Sequence, residues 1–171
     1  GHSAVYVNGV PRAGDPYSNG LLVVPVQLRA GVNELLFAAG RGTLRASLAP
    51  PRAPLTLDLR DATLPDLLRG REPRGWCALQ VVNATGETAT RLQLRVGDPQ
   101  GAWRDTQLPP LPPFSTHKFG FELHGQELGA GDSWETRVEL RRDDHSLDAA
   151  GLKLRVVAPH EVRKITFRSS I

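Results

Sequence analysis

The residues best placed to do chemistry in this sequence are two adjacent aspartates followed by a histidine. Asp143, Asp144 and His145 carry groups that bind metal ions or exchange protons. Adjacent side chains on an extended segment point to opposite faces, so this spacing does not bring the three groups together. Three further histidines are widely separated and show neither H-x-H nor H-E-x-x-H spacing: His117, His124 and His160. We therefore predict a solvated loop at Asp143–His145, no metal site and no catalytic site.

The usual signatures of a catalytic nucleophile are missing. No serine lies in a G-x-S-x-G elbow, and no glycine-rich phosphate loop precedes a helix. Cys77 is the only cysteine, and it lies in an apolar run that predicts a buried structural thiol. The sequence therefore indicates a chain that is not an enzyme by itself and has no cofactor.

Three aromatic residues beside turns are the candidates for binding a ligand: Tyr6, Tyr17 and Trp103. A β-sandwich that binds carbohydrate needs aromatic side chains that stack on sugar rings, together with polar partners. Tyr17, between Pro16 and a Ser-Asn-Gly turn, is the best placed of the three. Aromatic residues make up only 6% of the chain, so a structural role is favoured over carbohydrate binding.

Charge and hydropathy limit the classes of partner that the chain is expected to bind. The chain has 171 residues and a formal net charge of +3, from 21 basic and 18 acidic residues. No run of Lys or Arg marks a nucleic-acid surface, so no nucleic-acid partner is expected. No apolar run reaches membrane-spanning length, so no membrane span is expected either. With 17 Gly and 14 Pro spread along it, the chain favours many short strands joined by tight turns.

The stretch from Gly75 to Val96 contains two strand-like runs. The second alternates apolar and polar residues from Arg91, which predicts a strand with one buried face. The first is apolar at both parities, which predicts a strand covered on both faces. We therefore expect Trp76 and Cys77 to be buried, and Trp76→Ala to cost about 3–5 kcal/mol. Asn83-Ala-Thr85 matches a glycosylation sequon, but a turn that closes the two runs into a hairpin is the favoured interpretation.

Further alternating runs follow on both sides of this stretch. They predict seven or eight strands over residues 53–171, at the spacing of an immunoglobulin-like sandwich. The only helix expected is one turn near Thr63–Leu68, and Trp103–Leu108 should be an edge strand. Leu152–Val156 and the pair Ile165 and Phe167 should supply the last two strands. The prolines of Ala49–Pro54 form a stiff connector, which separates this domain from residues 1–52.

The first third of the chain also predicts strands only. Asn8-Gly9 is a strong signal for a two-residue hairpin, and further strands are expected at 22–28, 34–38 and 43–48. The V-x-x-N-G and G-x-N-x-L patterns fall on six residues: Val5, Asn8, Gly9, Gly31, Asn33 and Leu35. This region resembles the C-terminal half of a galactose-binding-like jelly roll. A jelly roll needs about eight strands, so the resemblance implies that the chain is a fragment of a longer protein.

The order of the pieces carries a second resemblance. A jelly-roll half, a proline hinge and an Ig-like sandwich resemble the N-terminal accessory region of large secreted bacterial α/β-hydrolases. The resemblance implies a secreted or periplasmic, non-catalytic region that supports or orients a catalytic domain of the same polypeptide. That domain would begin just after Ile171. Two alternatives stay open: a carbohydrate-binding module, or the N-terminal fragment of an esterase or peptidase.

Overall fold

The computed structural model describes residues 1–40, 43–97, 101–125 and 131–162. These ranges contain eleven strands and a single 3-10 turn at Pro159–Glu161, so the all-β prediction is confirmed. Within them, no helix has the length and apolar character that a membrane crossing requires. The strand expected at Ile165 and Phe167 lies outside the described residues.

Residues 1–40 build a small antiparallel sheet of three strands. Strands β1 (His2–Val7), β2 (Val10–Asp15) and β3 (Leu35–Ala39) lie in the order β2-β1-β3. Asn8 and Gly9, between β1 and β2, have φ angles of 51° and 81°. Positive φ at both positions is the signature of a type I′ turn, so the predicted hairpin is confirmed.

Two predicted strands, at 22–28 and 43–48, do not form part of a sheet. Pro25 lies in the middle of the first segment and has no N–H to donate to a ladder. Within that segment the carbonyl oxygen of Val23 accepts a hydrogen bond of 2.9 Å from the Thr116 hydroxyl. The segment therefore rests on the sandwich rather than on β1–β3.

The remaining strands form two sheets packed face to face. Their bounds are β4 (Leu55–Thr63), β5 (Leu67–Leu68), β6 (Arg74–Asn83), β7 (Leu92–Gly97), β8 (Trp103–Gln107), β9 (Ser115–His124), β10 (Ser133–Arg142) and β11 (His145–Val157). One sheet has the order β4-β6-β9 and the other the order β5-β11-β10-β7-β8. This division of strands is that of an immunoglobulin-like sandwich. The helical turn predicted at Thr63–Leu68 is wrong, because β5 there pairs parallel with β11.

The predicted hairpin of β6 and β7 is also wrong. β6 pairs with β4 and β9, whereas β7 pairs with β8 and β10. The chain therefore leaves one sheet after Asn83 and enters the other at Leu92. β7 keeps the predicted burial of alternate residues, whereas β6, predicted to be covered on both faces, is buried along one face and only at Val82 on the other. The two strands face each other across the core instead of lying side by side.

The core lies between the two sheets. Alternate residues of each strand point inward, as period-two patterning requires. The three-stranded sheet contributes seven buried residues: Leu55, Leu57, Cys77, Leu79, Val81, Phe121 and Leu123. Facing them are residues of the other sheet: Leu67, Leu92, Leu94, Val96, Trp134, Val138, Leu140, Leu152, Leu154 and Val156. The main core is therefore built entirely from residues after the proline connector.

Asn83 is a fully buried polar residue at the point where the chain changes sheets. Its Nδ2 donates to three main-chain carbonyl oxygens, those of Glu87 at 2.8 Å, Pro112 at 2.9 Å and Leu111 at 3.1 Å. Its Oδ1 accepts from the N–H and the hydroxyl of Thr85, at 3.0 and 2.7 Å. A buried Nδ2 held in this way cannot take a glycan in the folded chain, which supports the turn interpretation of the sequon.

Replacing Asn83 should destabilise the sandwich strongly. Asn83→Ala removes all five of these hydrogen bonds and the side chain that joins the two loops, and we expect a loss of about 2–4 kcal/mol in the free energy of unfolding. Asn83→Asp should lose at least as much at pH 7, because a carboxylate cannot donate to the same carbonyls. Urea denaturation measures both. The exposed Gln107→Ala serves as control, with a change under about 0.5 kcal/mol; an equally small loss for Asn83→Ala would contradict the role given to Asn83.

The first sheet has little core of its own. Val5 and Val7 are its buried hydrophobic residues. Five other apolar residues of the N-terminal region are half-buried: Leu22, Val24, Val26, Leu35 and Phe37. Arg12 in β2 donates to the carbonyl oxygen of Phe114 at 3.3 Å. Residues 1–52 therefore have few buried apolar residues of their own and contact the sandwich. The division into domains at 52/53 stays a prediction.

We expect the two sides of the proline connector to differ when separated. A fragment of residues 53–171 keeps the whole main core and should fold. A fragment of residues 1–49 should be disordered or aggregated, because so small an apolar core rarely sustains a fold. Amide NMR spectra of the two fragments check this. Sharp, dispersed signals from residues 1–49 alone would show that this segment is an independent domain.

Candidate functional site

Asp143, Asp144 and His145 lie at the exposed hairpin between β10 and β11. Asp143 has a positive φ of 51° and its carboxylate lies 3.3 Å from the Arg91 guanidinium. The loop is therefore solvated, as predicted. In the part of the chain that the structure describes, no group of three or more His, Cys, Asp or Glu side chains is arranged to hold a metal ion.

Cys77 is buried in the core on the inner face of β6, as predicted. Burial raises the pKa of its thiol to about 11. At neutral pH the side chain is therefore a protonated thiol with no access to solvent, and it acts as a small apolar core residue.

The three aromatic candidates for carbohydrate binding lie in separate places. Tyr6 is at one end of β1, opposite Pro11 and Leu36. Tyr17 is 84% exposed and follows the end of β2, whose last residue pairs with His2 at the other end of β1. Four residues along a strand span roughly 13 Å. Trp103 lies on β8 in another sheet, with its ring against Gly97. One sugar ring therefore cannot contact all three, although each alone stays a candidate.

Trp76 is the aromatic residue that sequence reasoning missed. It was predicted to be buried, and this is wrong: its side chain is 70% exposed on the outer face of β6. The apolar residues of β6 at the inner parity are covered by the opposite sheet, but nothing in the described structure covers Trp76. An exposed indole offers a ligand both an apolar face and a hydrogen-bond donor, so its surroundings form a candidate site.

Partial cover of the outer face explains the error. Val82 has the same parity as Trp76 on the same strand, yet it is only 7% exposed. The segments 22–28 and 47–52 lie across this end of the sheet and line with it a groove of about 820 Å³. They reach Val82 and Thr56 but not Trp76. The first run of β6 is therefore apolar at both parities because half of its outer face is buried.

Polar side chains flank Trp76 on both sides along the outer face. On one side, Glu122 accepts hydrogen bonds from His124 Nε2 at 2.9 Å and from Arg74 Nε at 3.3 Å. The hydrogen bond from His124, helped by that from Arg74, lowers the pKa of Glu122. Because Glu122 faces Trp76 in the register of β6 and β9, a carboxylate that stays ionised lies beside the indole.

On the other side lies a group held by Asp61. Its Oδ2 lies 3.2 Å from Lys118 Nζ and accepts a hydrogen bond of 3.2 Å from Gln80 Nε2. Gln80 and Lys118 face each other in the register. Between this pair and Trp76 lie only Ala78 and Gly120, so the two polar groups are separated by a low strip of the sheet.

The outer face of the five-stranded sheet is different in character. It carries ion pairs between neighbouring strands, such as Arg95 Nε with Asp105 Oδ1 at 2.7 Å. The hydrogen bond from Arg95 lowers the pKa of Asp105. Trp103 packs on this face so closely that a Cβ at Gly97 would lie 2.7 Å from its ring. Its indole is therefore partly used in packing, whereas that of Trp76 is open.

Comparisons with known proteins find two distant structural likenesses. No family model and no curated protein matches the chain. Among solved structures, the chain is similar to the CARDB domain of a Pyrococcus furiosus protein, with 14% identity over 61% of this chain and 94% of that chain, and a TM-score of 0.45. It is also similar to the alkylpurine DNA glycosylase AlkC of Pseudomonas fluorescens bound to DNA with an abasic site analog. That match has 13% identity over 61% of this chain and 31% of that chain, and a TM-score of 0.39. Neither likeness is close enough to assign a function.

Replacing either of two tryptophans with alanine should distinguish an exposed side chain from a buried one. Trp134 is 8% exposed on the inner face of β10, and Trp134→Ala should lower the free energy of unfolding by about 3–5 kcal/mol. Trp76→Ala should lower it by less than about 1 kcal/mol, because the indole has little packing to lose. Guanidinium denaturation of both variants tests this. Losses of similar size would mean that Trp76 is covered after all.

Proposed function

We propose that this chain is a non-catalytic accessory region of a larger secreted hydrolase. In this role it supports or orients a catalytic domain of the same polypeptide, in the periplasm or outside the cell. The observation that carries the proposal is a set of polar contacts that join the N-terminal segments to the sandwich. Among the described residues, many outward-facing ionisable groups form ion pairs, and the Cys77 thiol is part of the core.

Among the residues that the structure describes, three polar contacts join the N-terminal segments to the sandwich. The first two are the bonds of Arg12 to the Phe114 carbonyl and of the Thr116 hydroxyl to the Val23 carbonyl. The third joins the proline connector itself, where Arg52 forms an ion pair with Asp148. An accessory region that orients a neighbour must be stiff, and ties of this kind on both sides of a connector restrict hinge motion.

Asp148 makes the third tie rigid. Its Oδ2 also accepts a hydrogen bond of 2.8 Å from the main-chain N–H of Leu57, and its Oδ1 accepts one of 2.9 Å from the N–H of Ala149. The carboxylate therefore links the connector, β4 and β11. It lies where the register of β10 and β11 shifts, and such bulges re-aim side chains at sheet edges.

The chain's ionisable groups favour a supporting role over chemistry. Several carboxylates are held by arginines on their own or neighbouring strands. Asp58 and Arg60 form one such pair, with 2.7 Å between Oδ2 and Nη2, and this pairing lowers the pKa of Asp58 against the opposing effect of burial. Groups arranged in this way stabilise an exterior, whereas acid–base catalysis needs groups whose pKa values are moved toward neutrality.

Sequencing the gene beyond the codon for Ile171 tests the proposed hydrolase domain. We expect the codons after Ile171 to encode an α/β-hydrolase domain with a G-x-S-x-G elbow, and the full protein to hydrolyse model esters or aminoacyl anilides. Deleting residues 1–171 should leave the elbow intact but lower the midpoint of thermal unfolding or the activity of the remaining domain. The 171-residue chain, assayed at equal molarity, should show no turnover above buffer.

Two results would contradict the accessory role. One is hydrolysis by the 171-residue chain itself. The other is a catalytic domain that keeps its full activity and stability without these residues. Fractionation of the source cells tests the location separately, with the protein expected in the medium or the periplasm and its recovery in the cytoplasm counting against secretion.

A further inference from the structure

The outer face of the β4-β6-β9 sheet contains a gap that the Trp76 indole occupies. Lys118, Gly120 and Glu122 follow one another along this face of β9, and neighbours of this kind are about 6.8 Å apart. The Cε3 atom of Trp76 lies 3.8 Å from the point where a Cβ of Gly120 would be. The indole therefore lies beside Gly120, with an ammonium group on one side and a carboxylate on the other.

The polar atoms around the indole are held in place before any ligand arrives. Glu122 is bonded to His124 and Arg74, and Lys118 is paired with Asp61, which also holds Gln80. The side chains of Glu122 and Lys118 are still 36% and 32% exposed, so both can form further hydrogen bonds on the solvent side. Groups fixed in this way lose little conformational entropy when a ligand binds.

We propose that this surface, the Trp76 platform, binds an oligosaccharide. It consists of six residues: Asp61, Arg74, Trp76, Gln80, Lys118 and Glu122. A sugar ring offers an apolar C–H face and a rim of hydroxyls that both donate and accept. The open indole suits the first, and the mixture of carboxylate, amide, ammonium and guanidinium groups suits the second.

The charge of the platform argues against the other ligand classes. Two acidic and two basic side chains share it, so a phosphate-bearing ligand would meet Asp61 or Glu122 at every approach to Lys118 or Arg74. The buried centre of a protein–protein interface is depleted of charged residues, whereas charged side chains lie on both sides of Trp76. A neutral, hydroxyl-rich ligand is the class that fits both observations.

This binding activity goes beyond the accessory role and rests on different residues. The ties that join the N-terminal segments to the sandwich lie toward the Val82 end of the face, whereas the platform lies toward Arg74. Either proposal can therefore fail without the other.

Calorimetric titration of the 171-residue chain with cellohexaose, xylohexaose and N-acetylchitohexaose tests the platform. We expect at least one of them to bind with a Kd below about 1 mM. Trp76→Ala should weaken that binding at least about tenfold, as loss of a central aromatic anchor does. Trp76→Tyr should restore part of it, because an aromatic face remains. The control is Gln107→Ala, an exposed residue of β8 on the other sheet, which should bind as the unaltered chain does.

A second measurement needs no substitution at position 76. In NMR spectra of the unaltered chain, the bound hexasaccharide should shift the indole N–H signal of Trp76 in a saturable way and leave that of the buried Trp134 in place. Three results would overturn the proposal: no binding by any of the three sugars, equal weakening by Trp76→Ala and Gln107→Ala, or a bound sugar that leaves the Trp76 signal unmoved.

Discussion

The buried amide of Asn83 fixes the point at which the chain passes from one sheet to the other. A sandwich needs such crossings, and each one takes main-chain polar groups away from their ladder partners. Here one side chain bonds the crossing loop at Thr85 and Glu87 and the proline-rich loop at Leu111 and Pro112. With both loops held, β6 and β7 can face each other and close the core between the two sheets.

Most strands of the sandwich follow from alternation, whereas their pairing does not. Period-two patterns in β7, β10 and β11 predict which residues are buried, and the structure places Leu94, Val138 and Leu154 in the core. The pattern is the same whether two neighbouring strands form a hairpin or lie in opposite sheets, because it records burial and not partners. The buried bonds of Asn83 decide between the two, and they involve residues 28 and 29 positions away.

The candidate site was missed for a related reason. An apolar strand face can be covered by a second sheet, covered by an irregular segment of the chain, or left exposed. The sequence pattern does not distinguish these cases. Val82 and Trp76 share one face of β6, and only Val82 lies under the N-terminal segments. The signal that could have found the site is Gly120 between Lys118 and Glu122, because a glycine in a charged strand row leaves space for a large neighbour on the next strand.

The open Trp76 face is the claim on which the site depends, and hydroxyl-radical footprinting measures it directly. In the native chain, Trp76 should be oxidised many times faster than Trp134, while Val82 should be protected until residues 1–52 are removed. Protection of Trp76 to the same degree as Trp134 would mean that this face is covered, and the platform would not exist in solution.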